Sequence, residues 1–89
     1  MNNQKRKNKE IDNGVTTLKD LREQAGLSVK EVAKILGVTI NAIRNYELGW
    51  RKIGIEQVLR LVEAYDVPAE EVIRAQLNSS LRAQECNLH

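Results

Sequence analysis

Residues 28–49 read SVKEVAKILGVTINAIRNYELG, and this stretch decides the fold. Ser28 is followed three positions later by Glu31, the arrangement in which a hydroxyl and a carboxylate satisfy each other's backbone N–H at the start of a helix. Val32, Ala33, Ile35 and Leu36 then supply an apolar face at helical spacing. Gly37 ends that helix, because a residue without a Cβ enters the left-handed region at least cost, and the Thr39 hydroxyl caps the next one. Two short helices joined by a glycine turn follow, with the second presented outward.

The finer spacing is that of a helix-turn-helix. Ala33, Gly37 and Ile43 lie four and six residues apart, where the motif needs a small residue under a helix crossing, a turn, and an inward apolar clamp. The longer stretch LREQAGLSVKEVAKILGVTINAIRNYELG resembles the phage-repressor and Cro-like (XRE-type) helix-turn-helix family, and the likeness extends from about Leu18 to Ile73. The resemblance implies an all-α, compact five-helix, lambda-repressor-like domain. It also implies that the second helix of the motif, about residues 39–48, enters the major groove of double-stranded DNA.

Outward from the motif, Thr16 or Thr17 caps a first helix running to about Gln24, with Leu18, Leu21 and Ala25 on one face and Gly26 as its stop. Leu27 packs beneath the Ser28 cap. After Gly49 comes the loop Trp50-Arg51-Lys52-Ile53-Gly54, then a fourth helix from about Ile55 to Tyr65, with Ile55, Val58, Leu59, Val62 and Tyr65 as its apolar stripe. Pro68 suits the first position of a last helix, whose inward face is expected to be Val72, Ile73 and Leu77, with Leu81 continuing the row. Asn78-Ser79-Ser80 weakens that continuation. The expected division is a flexible basic arm at 1–13, the DNA-binding domain at 14–77 and a C-terminal extension with a frayed end at 78–89.

Eighty-nine residues make one domain, of a size that buries only about 60–65% of the surface its unfolded chain exposes. Hydrophobic content is 42%, with Trp50, Tyr46 and Tyr65 the only aromatics and no Phe, which suits a helical core of Leu, Ile, Val and Ala. The net charge of +2 is unevenly placed: +2 on residues 1–13, +3 on 28–54 and −3 on 55–89. Positive potential on the arm and the motif fits a face that meets phosphates. Lys5, Arg6, Lys7 and Lys9 either lie along DNA or merely solubilise the arm.

Other functions find little support. Cys86 is the only cysteine, so an internal disulfide is excluded, and no stretch approaches the roughly 18 apolar residues of a membrane span. The N-terminus lacks the apolar core of a signal peptide, and the expected location is cytoplasmic. There is no Gly-rich phosphate loop and no metal-ligand cluster, so no cofactor is expected. Cys86 and His89 sit at the chain end with nothing to orient them as a nucleophile pair, and catalysis is not expected.

With Ile43 turned inward and about 100° per residue, Ile40, Tyr46 and Glu47 fall on its side, whereas Asn41, Arg44, Asn45 and Leu48 face out. Asn pairs with adenine at N6 and N7, and Arg forks onto guanine O6 and N7. The candidate base contacts on this count are Asn41, Arg44 and Asn45, and the resemblance adds Ile40, since family members commonly read bases with the residues just after the cap of this helix. Ile40 either touches a thymine methyl or joins the core beside Ile43, the latter being preferred. Candidate backbone contacts are Ser28, Lys30, Thr39, Arg51 and Lys52. Val29 stands where family members very often carry a phosphate-reaching glutamine, which removes one anchor.

The resemblance further implies that Arg22 and Glu47 form a partly buried ion pair between the first and recognition helices. Family precedent also points to a homodimer on a two-fold-related site, through Leu77 and Leu81 with help from Trp50 and Ile53. Trp50 alternatively covers Tyr46. A transcriptional regulator of repressor type is the leading expectation. Rival expectations are an antitoxin that also holds a toxin partner, and a protein-interaction module that has lost DNA binding.

Overall fold

The computed structural model describes residues 16–87, with side chains described through residue 84. The expected basic arm lies outside the described residues, as does His89. Within them the chain forms five helices and no strand: α1 Leu18–Gln24, α2 Val29–Leu36, α3 Ile40–Glu47, α4 Ile55–Tyr65 and α5 Ala69–Asn87.

Each short helix begins where a side chain fixes it. Thr17 and Asp20 form a reciprocal box at the start of α1: the Asp20 N–H donates to Thr17 Oγ1 at 3.3 Å, and the Thr17 N–H donates to Asp20 Oδ2 at 3.0 Å. Ser28 and Glu31 do the same for α2 at 3.1 and 2.8 Å. Thr39 Oγ1 accepts from the Ala42 N–H at 3.1 Å to open α3. Gly37 closes α2 in the left-handed region at φ 71°, which realises the expected turn. Asp66 closes α4 in the same region at φ 57°, a position where the short polar side chain makes the left-handed conformation tolerable.

The core joins Leu18 and Leu21 of α1, Val32, Ala33 and Leu36 of α2, Ala42, Ile43 and Tyr46 of α3, Val58, Leu61 and Tyr65 of α4, and Val72 and Ala75 of α5. Two expected faces turn out differently. On α4 the buried row is Val58, Leu61 and Tyr65, while Ile55 and Leu59 are exposed. This helix meets both α2 and α5, so its inward side lies between them, and the first turn overhangs the core. On α5 the inward row is Val72, Ala75 and Ser79, whereas Ile73, Leu77 and Leu81 are exposed. Small residues let α5 lie close to its neighbours, and the larger leucines occupy the outer side.

The last helix does not stop near residue 77. Ser79 is buried, and its Oγ accepts from the Leu18 N–H at 3.2 Å; Asn78 Nδ2 donates to the Thr16 carbonyl at 2.7 Å. The Asn-Ser-Ser run that weakens a helix from sequence is thus held by the start of α1, and α5 continues to Asn87.

Gly49 explains how α3 is seated on this last helix. Its φ is 83°, and a Cβ there would fall 2.2 Å from the Ser79 carbonyl oxygen and 2.9 Å from Ser80 Cα. The chain leaving α3 therefore passes directly over the α5 backbone.

Candidate nucleic-acid interface

The outer face of α3 is built from its ends and its ties. Ala42, Ile43 and Tyr46 are buried, which fixes the rotation of the helix about its axis. At the far end Glu47 meets Arg22 in a two-point pair: Nε donates to Oε2 at 2.6 Å and Nη2 to Oε1 at 3.2 Å. The third arm of the guanidinium, Nη1, donates to the Leu27 carbonyl at 3.1 Å. One arginine thus joins α1, the turn before α2, and α3. Both side chains are nearly buried, at 11% and 10% exposure. The hydrogen bond to Glu47 raises the Arg22 pKa above its ordinary value, against the opposing effect of burial.

What remains outward on α3 is Ile40, Asn41 and Arg44, all exposed, with Asn45 half-buried and Leu48 exposed at the C-cap. Ile40 is 41% exposed and outside the core, contrary to the preferred expectation. It occupies the first turn, directly after the Thr39 cap, and the residues of α3 that join the core are Ala42, Ile43 and Tyr46. The main-chain carbonyl of Asn45 accepts from the Trp50 N–H at 2.9 Å and the Arg51 N–H at 3.3 Å. Alone among the five helices, α3 carries no acidic residue in its first turn, so its positive end is not offset by a carboxylate of its own.

The flanking candidates divide. Lys30, Thr39, Arg51 and Lys52 are exposed, and of these Thr39 and Arg51 touch α3 directly. Ser28 is exposed, but its hydroxyl and N–H are both engaged with Glu31, and that carboxylate occupies the helix end where an anion would sit. Val29 is partly buried against the core. Arg51 stands over the Tyr46 ring, its Cζ 5.7 Å from the centroid, a cation–π geometry. Arg51, not Trp50, therefore covers that tyrosine, and Trp50 is 67% exposed.

Of the expected contacts between copies, Ile53 is withdrawn: it is 8% exposed, and its N–H donates to Gln76 Oε1 at 2.7 Å, which pins the loop to α5. Trp50, Leu77 and Leu81 are exposed. The tie of the α3–α4 loop to α5 through Gly49, Ser79 and Gln76 was not anticipated. The glycine just past a helix end was its one visible signal.

No helix among the described residues is long and apolar enough to cross a membrane, and no group of three or more His, Cys, Asp or Glu side chains is placed there to hold a metal ion.

The helix-turn-helix family model matches residues 18–72. A protein of Thermococcus gammatolerans, provisionally named an HTH-type transcriptional regulatory protein, is 39% identical over 71 residues, covering 76% of this chain and 22% of the relative. A similarly named protein of Pyrococcus horikoshii is 41% identical over 63 residues, 67% of this chain and 20% of the relative. A third, of Pyrococcus abyssi, is 47% identical over 49 residues, 55% of this chain and 16% of the relative. The chain thus spans about a fifth of the length of these relatives. No solved structure matches significantly. The family match begins with Leu18 at the start of α1 and ends with Val72 inside α5, enclosing α2, the Gly37 turn and α3, and this chain belongs to the XRE-type helix-turn-helix family.

Proposed function

We propose that this chain is a cytoplasmic transcriptional regulator that binds double-stranded DNA sequence-specifically, with α3 in the major groove. The observation that carries the reading is the outer face of α3, where Asn41 and Arg44 stand exposed on a helix whose rotation is fixed by Ala42, Ile43, Tyr46 and the Arg22–Glu47 pair. Asn41 and Asn45 suit adenine and Arg44 suits guanine, while Lys30, Thr39, Arg51 and Lys52 border the helix and suit the phosphates. The names of the archaeal relatives support the same reading.

One eight-residue helix reads only a few base pairs, and two copies about 34 Å apart, one DNA turn, multiply the specificity. The exposed row Ile73, Leu77 and Leu81 on α5, together with Trp50, is the apolar surface available for pairing two copies. Selection of bound duplexes from a random library tests the proposal. The expected product is a short two-fold-symmetric site; a pool with no enriched motif would refute it.

A further inference from the structure

The first turn of α3 presents a side chain that neither donates nor accepts a hydrogen bond. Ile40 is 41% exposed, directly after the Thr39 cap, one residue from exposed Asn41 and one turn from exposed Arg44. Resting on the proposed function, we infer that Ile40 is a specificity residue that reads the C5-methyl group of a pyrimidine, in thymine or 5-methylcytosine.

Three physical features lead there. That methyl group is the one bulky apolar group on the major-groove edges of the base pairs, so it is the feature an aliphatic side chain contacts most favourably. Setting Ile40 against a carbonyl, ring nitrogen or amino group instead would strip water from it and give no hydrogen bond in return. A β-branched side chain in a helix is also held to essentially one χ1 rotamer, so its methyl groups are presented in a fixed place. The neighbours complete a divided reading head, with amide and guanidinium for purine edges and an aliphatic surface for the pyrimidine methyl.

The measurement uses the full chain and the duplex recovered by selection. Each thymine is replaced singly by deoxyuridine, which removes only the methyl group. At one position per half-site the parent is expected to lose about fourfold in affinity, the factor equivalent to one buried methylene-sized group. Ile40→Ala, a change at an exposed site to a good helix former, should bind the thymine and deoxyuridine duplexes alike. At the same position, a 5-methylcytosine·guanine pair should exceed the unmethylated pair by a similar factor if the methyl group alone is read. If only the thymine duplex is favoured, the source is thymine. Equal binding of thymine and deoxyuridine duplexes by the parent at every position overturns the inference while leaving base reading by Asn41 and Arg44 intact, as does discrimination that survives Ile40→Ala. A parent that selects no site overturns the proposed function, and this inference with it.

Discussion

At Glu47 the two oxygens of one carboxylate face two nitrogens of Arg22, and the third guanidinium nitrogen reaches Leu27. Because both partners are nearly buried, removing one leaves the other charge without compensation, at a cost of about 3–5 kcal/mol. In a domain of this size each kcal/mol moves the melting point by about 4–8 °C. Glu47→Ala is therefore expected to lower the thermal midpoint by more than about 10 °C and to weaken DNA binding with it; a variant that melts with the parent would show that the pair does not join the helices. Asn41→Ala should leave the melting point near that of the parent and relax selectivity at one base position by about 1–3 kcal/mol, read from binding to single-base variants of the selected site. Burial pushes the Tyr65 phenol above its ordinary 10.0, and the nearby Glu47 charge adds to the shift while Arg22 opposes it. A raised folded pKa means stability that is complete below the unfolded pKa and lost as pH rises past it. Thermal midpoints should accordingly fall above about pH 10, and Tyr65→Phe should flatten that fall. The ion pair was legible in sequence because both residues match family positions and Glu47 also falls on the inward side of α3. Ile40 was misplaced because an angular count has no term for a first turn that stands clear of the core.

Among the elements, α2 and α3 were readable to within a residue, since Ser28, Glu31, Gly37 and Thr39 each act locally and their chemistry is visible one turn away. The face and extent of α5 were not, because they depend on what packs against it. A row of Ile73, Leu77 and Leu81 is a stronger apolar signal than Val72, Ala75 and Ser79, yet only the latter admits the close approach of Gly49 and the hydrogen bond from the Leu18 N–H to Ser79. Gly49→Ala places a Cβ against backbone atoms as well as at positive φ, whereas Gly37→Ala meets open space and bears the φ strain alone. Chemical denaturation should therefore rank Gly49→Ala as the more destabilising of the two, by more than about 1 kcal/mol. Ending the chain after Leu77 removes Asn78 and Ser79, the two residues that hold the start of α1. Such a truncation should lose cooperative unfolding or melt far below the full chain.

For the whole molecule, the two surfaces of interest are joined by one loop. The segment after α3 carries exposed Arg51 and Lys52, rests on α5 at Gly49 and Ile53, and exposes Trp50, so pairing through α5 would set the relative placement of two copies of α3. Leu77→Asp is expected to shift sedimentation at micromolar concentration from dimer to monomer without changing the helix content; a parent that already sediments as a monomer would refute the dimer. The distribution of charge, −3 over residues 55–89 against +3 over 28–54, gives the molecule a direction in which to approach a polyanion. The most direct test of the central claim is a titration of labelled duplex carrying the selected site at several salt concentrations. Lys30, Arg51 and Lys52 each neutralising a phosphate would give a log–log slope of about −3 per protomer, and the selected site should remain bound at salt concentrations that release random duplex. Binding that is absent at low salt, or equal for selected and random duplexes throughout, would contradict it.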